Sequence, residues 1–464
     1  MNLSRRRLFQ TGLAGSLASM LPVSAASVGA SSPVRARGII FMVSDGMSSG
    51  VLPMSEAFSQ QLRKRPTAWW QLLSGPATVH GLMDTASSDS LVTDSAAASS
   101  AWSSGQRIPN SQVNISDKGR ELESIGATLR TQNVRLGLVT TSKVTHATPA
   151  GFAANSVDRN DEDHIAPQYL DRAELVLGGG SKFFDAAKRG DRRDLFAEYR
   201  KAGYEVLRHR DELLASNSPK LLGTFASDHL PYSIDRAADP KLAKKVPTLA
   251  EMTRAALDRF LASDKPFLLQ VEGARIDHAA HANDIGALLH DQLAFDDALA
   301  EVIAMTAAHP EILVVITSDH GNANPALNGT GAAYRRTNEH FERIARARAS
   351  HEAILASWKS KPGDTSDLVA LIEKSLGFTP EKEEASALLD TLAGREFAEW
   401  SHQLSNPPGL LGQISGNHTG TGWTGVSHTA DPTVISSFGP GSAAFSGLVR
   451  NDQVRDKLLE TLGV

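Results

Sequence analysis

Residues 37–48 read RGIIFMVSDGMS, an apolar run of strand length that ends in a serine, an aspartate and a glycine. An apolar run without polar alternation is typical of a strand buried on both faces, as in a parallel sheet. Helical patterns at 248–263 and 285–309 each precede another such run. This alternation predicts an α/β fold in which a mostly parallel central sheet carries helices on both faces. The other apolar runs lie at 134–142, 173–180, 266–273, 311–321 and 432–442.

The composition describes a globular protein with a large core. The chain has 464 residues, of which 41% are hydrophobic and 21% are charged. Its net charge of -5 gives no reason to expect nucleic acid as a specific partner. The chain contains no cysteine, so disulfide bonds are excluded and a zinc ion would need histidine and carboxylate ligands.

The first 32 residues predict a signal peptide and linker. SRRRLFQTGLAGSLASMLPVSA, residues 4–25, combines a basic start, a moderately apolar stretch and small residues at its end. Ser4-Arg5-Arg6 resembles a twin-arginine signal, and a Sec-type leader with an extra arginine is the alternative. We therefore expect bacterial export to the periplasm or the medium. No later stretch has the length of a membrane span.

The composition changes after about residue 330 and becomes charged, helical and poor in strands. We expect one α/β domain over 33–464 with a helical insertion at about 327–415. A subdomain over one end of the sheet and a solvated helical bundle are both compatible with this pattern.

Carboxylates and imidazoles follow several of the predicted strands. A single aspartate at a strand end is usually a helix cap, and a single histidine is usually a core residue. Because the carboxyl ends of parallel strands share one edge, the joint pattern instead predicts a site there. Carboxylate with imidazole suits zinc, whereas glutamate, threonine and water suit magnesium, so we expect more than one metal ion. The residues are Asp45, His146, Thr148, Glu272, Asp277, His278, His281, Asp319 and His320.

Residues 91–102, LVTDSAAASSAW, read as the start of a helix made of small residues. Thr, Asp and Ser are good N-caps and alanine favours helix, so a purely structural helix explains the string. The same helix start would also let an anion approach free N–H groups, which would make Ser95 a candidate nucleophile toward phosphate.

Several of these strings resemble the alkaline phosphatase family. VTDSAAASSAW, VEGARIDHAAH and TSDHGNAN follow FMVSDGM in that order, and HTADPTVISSFGPGS comes later. The resemblance covers roughly 38–325 and 417–464, and the Val-Glu-Gly-x-x-Ile-Asp-x-x-x-His string is its most specific part. It implies an alkaline phosphatase-like fold, hydrolysis of small phosphate monoesters and a possible homodimer.

The resemblance also implies roles for individual residues. Ser95 would form a phosphoserine intermediate, Arg159 would clamp phosphate oxygens, and Asp94 would orient the turn rather than bind metal. His428 rests on the resemblance alone, and His418 in GNHTGTG is a rival. The implied cofactors are two Zn²⁺ and one Mg²⁺, held by Asp277, His281 and His428, by Asp45, Asp319 and His320, and by Asp45, Thr148 and Glu272.

Two positions depart from one branch of the family. Well-studied bacterial members carry Asp where this chain has His146 and Lys where it has His278, whereas animal-type enzymes carry a His/His pair. A neutral imidazole holds phosphate less tightly than an ammonium group, so we expect faster product release and looser magnesium.

Three other functions stay open at this point. A phosphodiesterase of the same superfamily usually has a threonine nucleophile and lacks the magnesium ligands. A sulfatase would need a (C/S)-x-P-x-R string, which occurs only at 31–35, before the first strand. A non-catalytic metal- or phosphate-binding protein would need no nucleophile.

Overall fold

A ten-stranded sheet forms the centre of the computed structural model, which describes residues 35–332, 334–395 and 400–464. The predicted signal peptide and linker at 1–32 lie outside the described residues. Two further sheets in the described part of the chain have two strands each. The strands of all three sheets are β1 (Gly38–Val43), β2 (Val79–Asp84), β3 (Arg135–Lys143), β4 (Leu175–Gly179), β5 (Glu205–Leu207), β6 (Leu221–Thr224), β7 (Phe267–Glu272), β8 (Ile312–Thr317), β9 (Gly321–Asn322), β10 (Ala326–Leu327), β11 (Thr421–Gly422), β12 (His428–Thr429), β13 (Thr433–Phe438) and β14 (Gly447–Arg450). The two small sheets pair β10 with β11 and β9 with β12.

The sheet is mostly parallel, as predicted. Its strand order is β14-β2-β13-β8-β1-β7-β3-β4-β6-β5. Only β13 runs antiparallel to its neighbours within this sheet. The parallel strands β7, β1 and β8 lie side by side at its centre, and every residue of all three is buried. Their continuous apolar sequences reflect this burial on both faces.

Helices cover both faces of the sheet. Ile40 and Met42 of β1 belong to one hydrophobic core, and Ile39 and Phe41 belong to a second core on the opposite face. The helices are α1 (Val51–Arg63), α2 (Ala68–Leu73), α3 (Ser95–Ser104), α4 (Ile125–Thr131), α5 (Ala147–Ala153), α6 (Glu162–Ile165), α7 (Leu195–Lys201), α8 (Arg210–Ala215), α9 (Ser233–Ala238), α10 (Pro240–Lys245), α11 (Leu249–Leu261), α12 (Arg275–His281), α13 (Ile285–Thr306), α14 (Thr337–Glu342), α15 (His351–Ser360), α16 (Thr365–Leu376), α17 (Lys382–Leu392), α18 (Pro407–Thr419) and α19 (Val454–Leu462).

A helical segment of the chain begins and ends at a small two-stranded sheet formed by β10 and β11. Strand β10 pairs antiparallel with β11, so that Ala326 lies opposite Gly422 and Leu327 opposite Thr421. In the sequence, helices α14 to α18 lie between these two strands. None of the helices described is long and apolar enough to cross a membrane.

The small residues of α3 have a packing role. Its residues from Ser95 to Ser103 are buried, and α3 packs closely against α5. A methyl group on Gly151 of α5 would lie 2.1 Å from Oγ of Ser99, and that hydroxyl donates to the carbonyl of Ala147 at 3.0 Å. Larger side chains at this contact would push α3, and Ser95 with it, away from α5.

Candidate active site

The central strands bring several of the predicted acidic residues to one edge of the sheet. Val43 of β1 lies level with Glu272 of β7 and with Thr317 of β8. Asp45 and Asp319 therefore lie just beyond the same edge, and both are fully buried, as is Glu272. The amide of Gly46 donates to Oδ1 of Asp319 at 3.0 Å, which joins the turns after β1 and β8.

Asp277, His281 and His428 form one group of possible metal ligands, with one ligand atom from each residue lying within 4.8 Å of the others. Asp277 and His281 are four residues apart on α12, and His428 is brought beside them by the pairing of β12 with β9. The Nε2 atoms of the two histidines are 3.0 Å apart.

Hydrogen bonds fix how these two imidazoles face the site. Nδ1 of His281 lies 2.7 Å from the carbonyl of Val426, and Nδ1 of His428 lies 2.9 Å from the carbonyl of Thr93. Because a carbonyl only accepts, each Nδ1 must carry a proton. These two hydrogen bonds orient the rings so that both Nε2 atoms face Asp277. Burial lowers the pKa of His281, but Asp277 outweighs it and raises that pKa to about 9. A metal ion would replace the proton held there.

His320 lies at the centre of a second group. Its Nε2 is 3.1 Å from Oδ2 of Asp319, 3.7 Å from Oδ1 of Asp45 and 3.1 Å from Oγ of Ser95. The ligand atoms of Asp45, Asp277 and His320 lie within 4.8 Å of one another. Asp277 therefore belongs to both groups, and Ser95 borders the second.

Asp45, His146 and Glu272 form a third group. Burial and three neighbouring carboxylates raise the pKa of Asp45 well above its usual range, and burial raises the pKa of Glu272 to about 7. Among the described residues, no hydrogen-bond partner is present for either oxygen of Asp45, for Oε1 of Glu272 or for Oγ1 of Thr148.

These donors fit divalent cations. Buried oxygens without a proton donor are costly unless a cation satisfies them. The first two groups combine carboxylate with imidazole, which suits zinc. The unpartnered oxygens of Asp45, Thr148 and Glu272 suit a harder ion such as magnesium.

Asp94 ties the first turn of α3 to Arg159. Its Oδ1 accepts from the amide of Ala97 at 2.8 Å, which caps the helix that starts at Ser95. Its Oδ2 accepts from the amide of Ser111 at 2.9 Å and from Nη1 of Arg159 at 2.8 Å. One carboxylate thus orients both the helix start and the guanidinium.

His146 of the third group also belongs to a cluster of three imidazoles. The ring centroids of His146 and His278 are 5.6 Å apart, and His229 lies 5.6 Å from the first and 4.4 Å from the second. The sequence interpretation missed His229 because it also missed β6, the strand that ends five residues earlier. Nη1 of Arg275 lies 2.9 Å from Nδ1 of His278. Since a guanidinium only donates, the proton of neutral His278 lies on Nε2.

His418, the rival of His428, lies in the helical segment and belongs to none of the three groups found among the described residues. Its Nε2 is 3.0 Å from a carboxylate oxygen of Glu384, and its ring stacks on Phe378 with centroids 4.2 Å apart.

Comparisons with known proteins agree with this geometry. The family model described as alkaline phosphatase matches residues 36–464. The chain is 28% identical to alkaline phosphatase 3 of Bacillus subtilis over 436 residues, which cover 92% of this chain and 89% of that protein. Streptomycin-6-phosphate phosphatase of Streptomyces griseus is 32% identical, over 66% of this chain and 78% of that protein.

A solved structure shares the fold over nearly the whole chain. The crystal structure of Thermus thermophilus alkaline phosphatase matches with a TM-score of 0.86 and 35% identity, covering 96% of each chain. Sequence, fold and site agree, and this protein is a phosphatase that belongs to the alkaline phosphatase family.

Proposed function

We propose that this protein is an exported alkaline phosphatase that hydrolyses small phosphate monoesters through a phosphoserine at Ser95, with two zinc ions and one magnesium ion. The observation that carries the proposal is the position of Ser95. Its hydroxyl begins a buried helix and lies 3.1 Å from a histidine that is surrounded by buried carboxylates. A protein that only binds metal or phosphate would need no nucleophile there.

The three groups support the ligand sets that the family resemblance implies, with Asp319 in place of Asp277 in the second group and Thr148 in place of His146 in the third. Asp319 completes the second group because its Oδ2 lies 3.1 Å from His320, and Thr148 completes the third because its hydroxyl is buried without a partner. His146 is a member of the third group, but we assign it to the surroundings of the ion, with His278. We assign Asp277, His281 and His428 to one zinc ion, Asp45, Asp319 and His320 to the other, and Asp45, Thr148 and Glu272 to magnesium.

The reaction divides into two displacements at phosphorus. Ser95 Oγ attacks, the bond from phosphorus to the ester oxygen breaks, and the leaving alcohol takes a proton. Water then breaks the phosphoserine bond and releases phosphate. Bound metal ions would lower the pKa of the serine hydroxyl and of water and stabilise the leaving oxygen. Arg159, held by Asp94 through Nη1, offers its remaining N–H groups to phosphate oxygens.

The proposal extends to location and assembly. The leader at 4–25 supports export to the periplasm, and its twin-arginine pattern supports a route that carries folded protein. Homodimerisation is what the family resemblance implies.

The first test compares p-nitrophenyl phosphate with its bis-ester across pH, with and without added zinc and magnesium. We expect zinc-dependent monoester turnover at alkaline pH, because the metal ions activate the serine. Ser95→Ala should abolish that turnover, whereas Ser104→Ala at the other end of α3 should retain it. Dominant bis-ester turnover would instead indicate a phosphodiesterase, and no turnover by metal-loaded protein would indicate a binding protein.

The second test distinguishes the two candidate histidines by zinc content. Elemental analysis of purified His428→Ala should find about one zinc ion fewer per chain than the wild type, because one of three protein ligands is lost. His418→Ala should retain the wild-type content, since His418 contacts Glu384 instead. Equal zinc content in both variants would contradict the assignment of His428.

The third test concerns the histidine pair. Burial, Arg275 and His229 hold the pKa of His278 well below its usual range, so this side chain is uncharged at alkaline pH. The double variant His146→Asp, His278→Lys should bind product phosphate about tenfold more tightly and should also hold magnesium more tightly. Inhibition constants for phosphate and magnesium titrations measure both effects. Phosphate inhibition equal to that of the wild type would refute the hypothesis.

A further inference from the structure

A cleft of about 330 Å³ lies at the same edge of the sheet as the metal site, several strands away. It lies where the parallel strands β4, β6 and β5 end, since Ser181, Phe225 and Arg208 follow these strands closely. Neighbouring strands are about 4.8 Å apart, so three steps from β7 to β6 place the cleft roughly 14 Å from Glu272. Its polar lining residues are Ser181, Arg208, His209, Thr224, Ser227 and Lys245.

Arg208 lies in this cleft without an acceptor. Its guanidinium stacks on Phe196, with Cζ 4.5 Å from the ring centroid, and its Nε is buried. Within the described part of the chain, no group accepts a hydrogen bond from this guanidinium. Other half-buried arginines are satisfied by carbonyls: Arg236 donates to Val246 at 2.7 Å, and Arg259 donates to Ser218 at 2.6 Å. Only Nε of Arg208 is buried without a partner, so the terminal nitrogens Nη1 and Nη2 face solvent and are free to donate to an anion in the cleft.

The rest of the lining fits an anion. Oγ1 of Thr224 is buried and has no partner among the described residues. Lys245 is exposed, and no carboxylate within the described ranges pairs with it. The nearby carboxylate of Glu212 accepts from the amide of His209 at 3.0 Å, and that of Asp185 accepts from the amide of Ala187 at 2.9 Å. Both carboxylates attract Arg208 electrostatically, but neither accepts a hydrogen bond from its guanidinium, so the N–H donors of Arg208 stay available.

We propose that this cleft is a second anion-binding site, which takes a phosphate or carboxylate group. A planar guanidinium supplies two parallel N–H donors to such a group, Lys245 adds charge, and Ser181 offers a hydroxyl from the same lining. The anion is either a free ion or the second acidic group of a phosphate monoester bound at Ser95.

The chain itself connects the two places. Thr224 and Ser227 line the cleft, and His229, two residues further on, lies 5.6 Å from His146 by ring centroids. The substrate role requires that a substrate with two acidic groups extend from Ser95 past this histidine to Arg208. This substrate role rests on the function proposed above, whereas anion binding in the cleft does not.

The first arm of the test counts bound phosphate. Equilibrium dialysis of the metal-loaded protein against inorganic phosphate at low ionic strength should find one more equivalent per chain in the wild type than in the double variant Arg208→Gln, Lys245→Gln. The control double variant Arg200→Gln, Lys244→Gln removes the same charge from exposed positions outside the cleft and should match the wild type. Equal binding by all three proteins would overturn the proposal.

The second arm identifies the source of the anion. KM is measured for a long-chain alkanediol bisphosphate and for the matching monophosphate. A rise of about tenfold in the bisphosphate KM of Arg208→Gln, Lys245→Gln, with an unchanged monophosphate KM, assigns the cleft to substrate. A lost phosphate equivalent with both KM values unchanged assigns it to a free anion. If neither substrate is turned over but the equivalent is still lost, the cleft stands and the proposed phosphatase mechanism fails.

Discussion

Four buried carboxylates at one edge of the sheet set the main physical constraint on this structure. Asp45, Glu272, Asp277 and Asp319 are each no more than 4% exposed. Mutual repulsion and desolvation make such a cluster unfavourable without cations, and the raised pKa of Asp45 expresses that cost. The nearby histidines offset part of it, because His281 lowers the pKa of Asp277 against the effect of burial. Divalent ions would satisfy the rest. The central parallel strands provide the rigid frame that holds the four acids in place.

The proposed nucleophile, Ser95, is positioned by a second, smaller set of contacts. Helix α3 can lie against α5 only because both carry small residues where they meet, as Gly151 and Ser99 show. Asp94 then caps α3 and holds Arg159 with the same carboxylate. The orientation of Ser95 and that of the Arg159 guanidinium are therefore coupled through one side chain. The alanine-rich sequence serves helix packing and, in the proposed mechanism, also the close approach of an anion.

Much of the fold could be predicted because the central strands carry a strong signal. Their long apolar runs required burial on both faces, and the acids after them had to meet at one edge. Four strands of the ten-stranded sheet, β2, β5, β6 and β14, were not predicted from the sequence. Gly447–Arg450 is largely exposed, and Val79–Asp84 mixes polar with apolar positions. Glu205–Leu207 has only three residues and Leu221–Thr224 only four, so none of the four strands shows a long apolar run. Because β5 and β6 were not predicted, the functional candidates that follow them, including Arg208 and His229, were not identified either.

The choice between His428 and His418 shows a different limit. Both histidines lie near small and polar residues, so local sequence does not separate them, and the prediction depended on family resemblance. In the structure, the pairing of β12 with β9 carries His428 to α12, whereas α18 places His418 beside Glu384. Long-range strand pairing of this kind has no local signature.

The most direct test of this account is the stability of the protein with and without its metal ions. Chemical unfolding of chelator-treated protein should show a much lower free energy of unfolding than that of zinc- and magnesium-loaded protein. The expected difference is about 4 kcal/mol for each ion present at roughly 1,000 times its Kd. Asp45→Asn, which alters a ligand shared by two proposed ions, should show a smaller gain on metal addition. Equal unfolding free energies with and without metal would contradict the central claim that cations compensate the buried carboxylates.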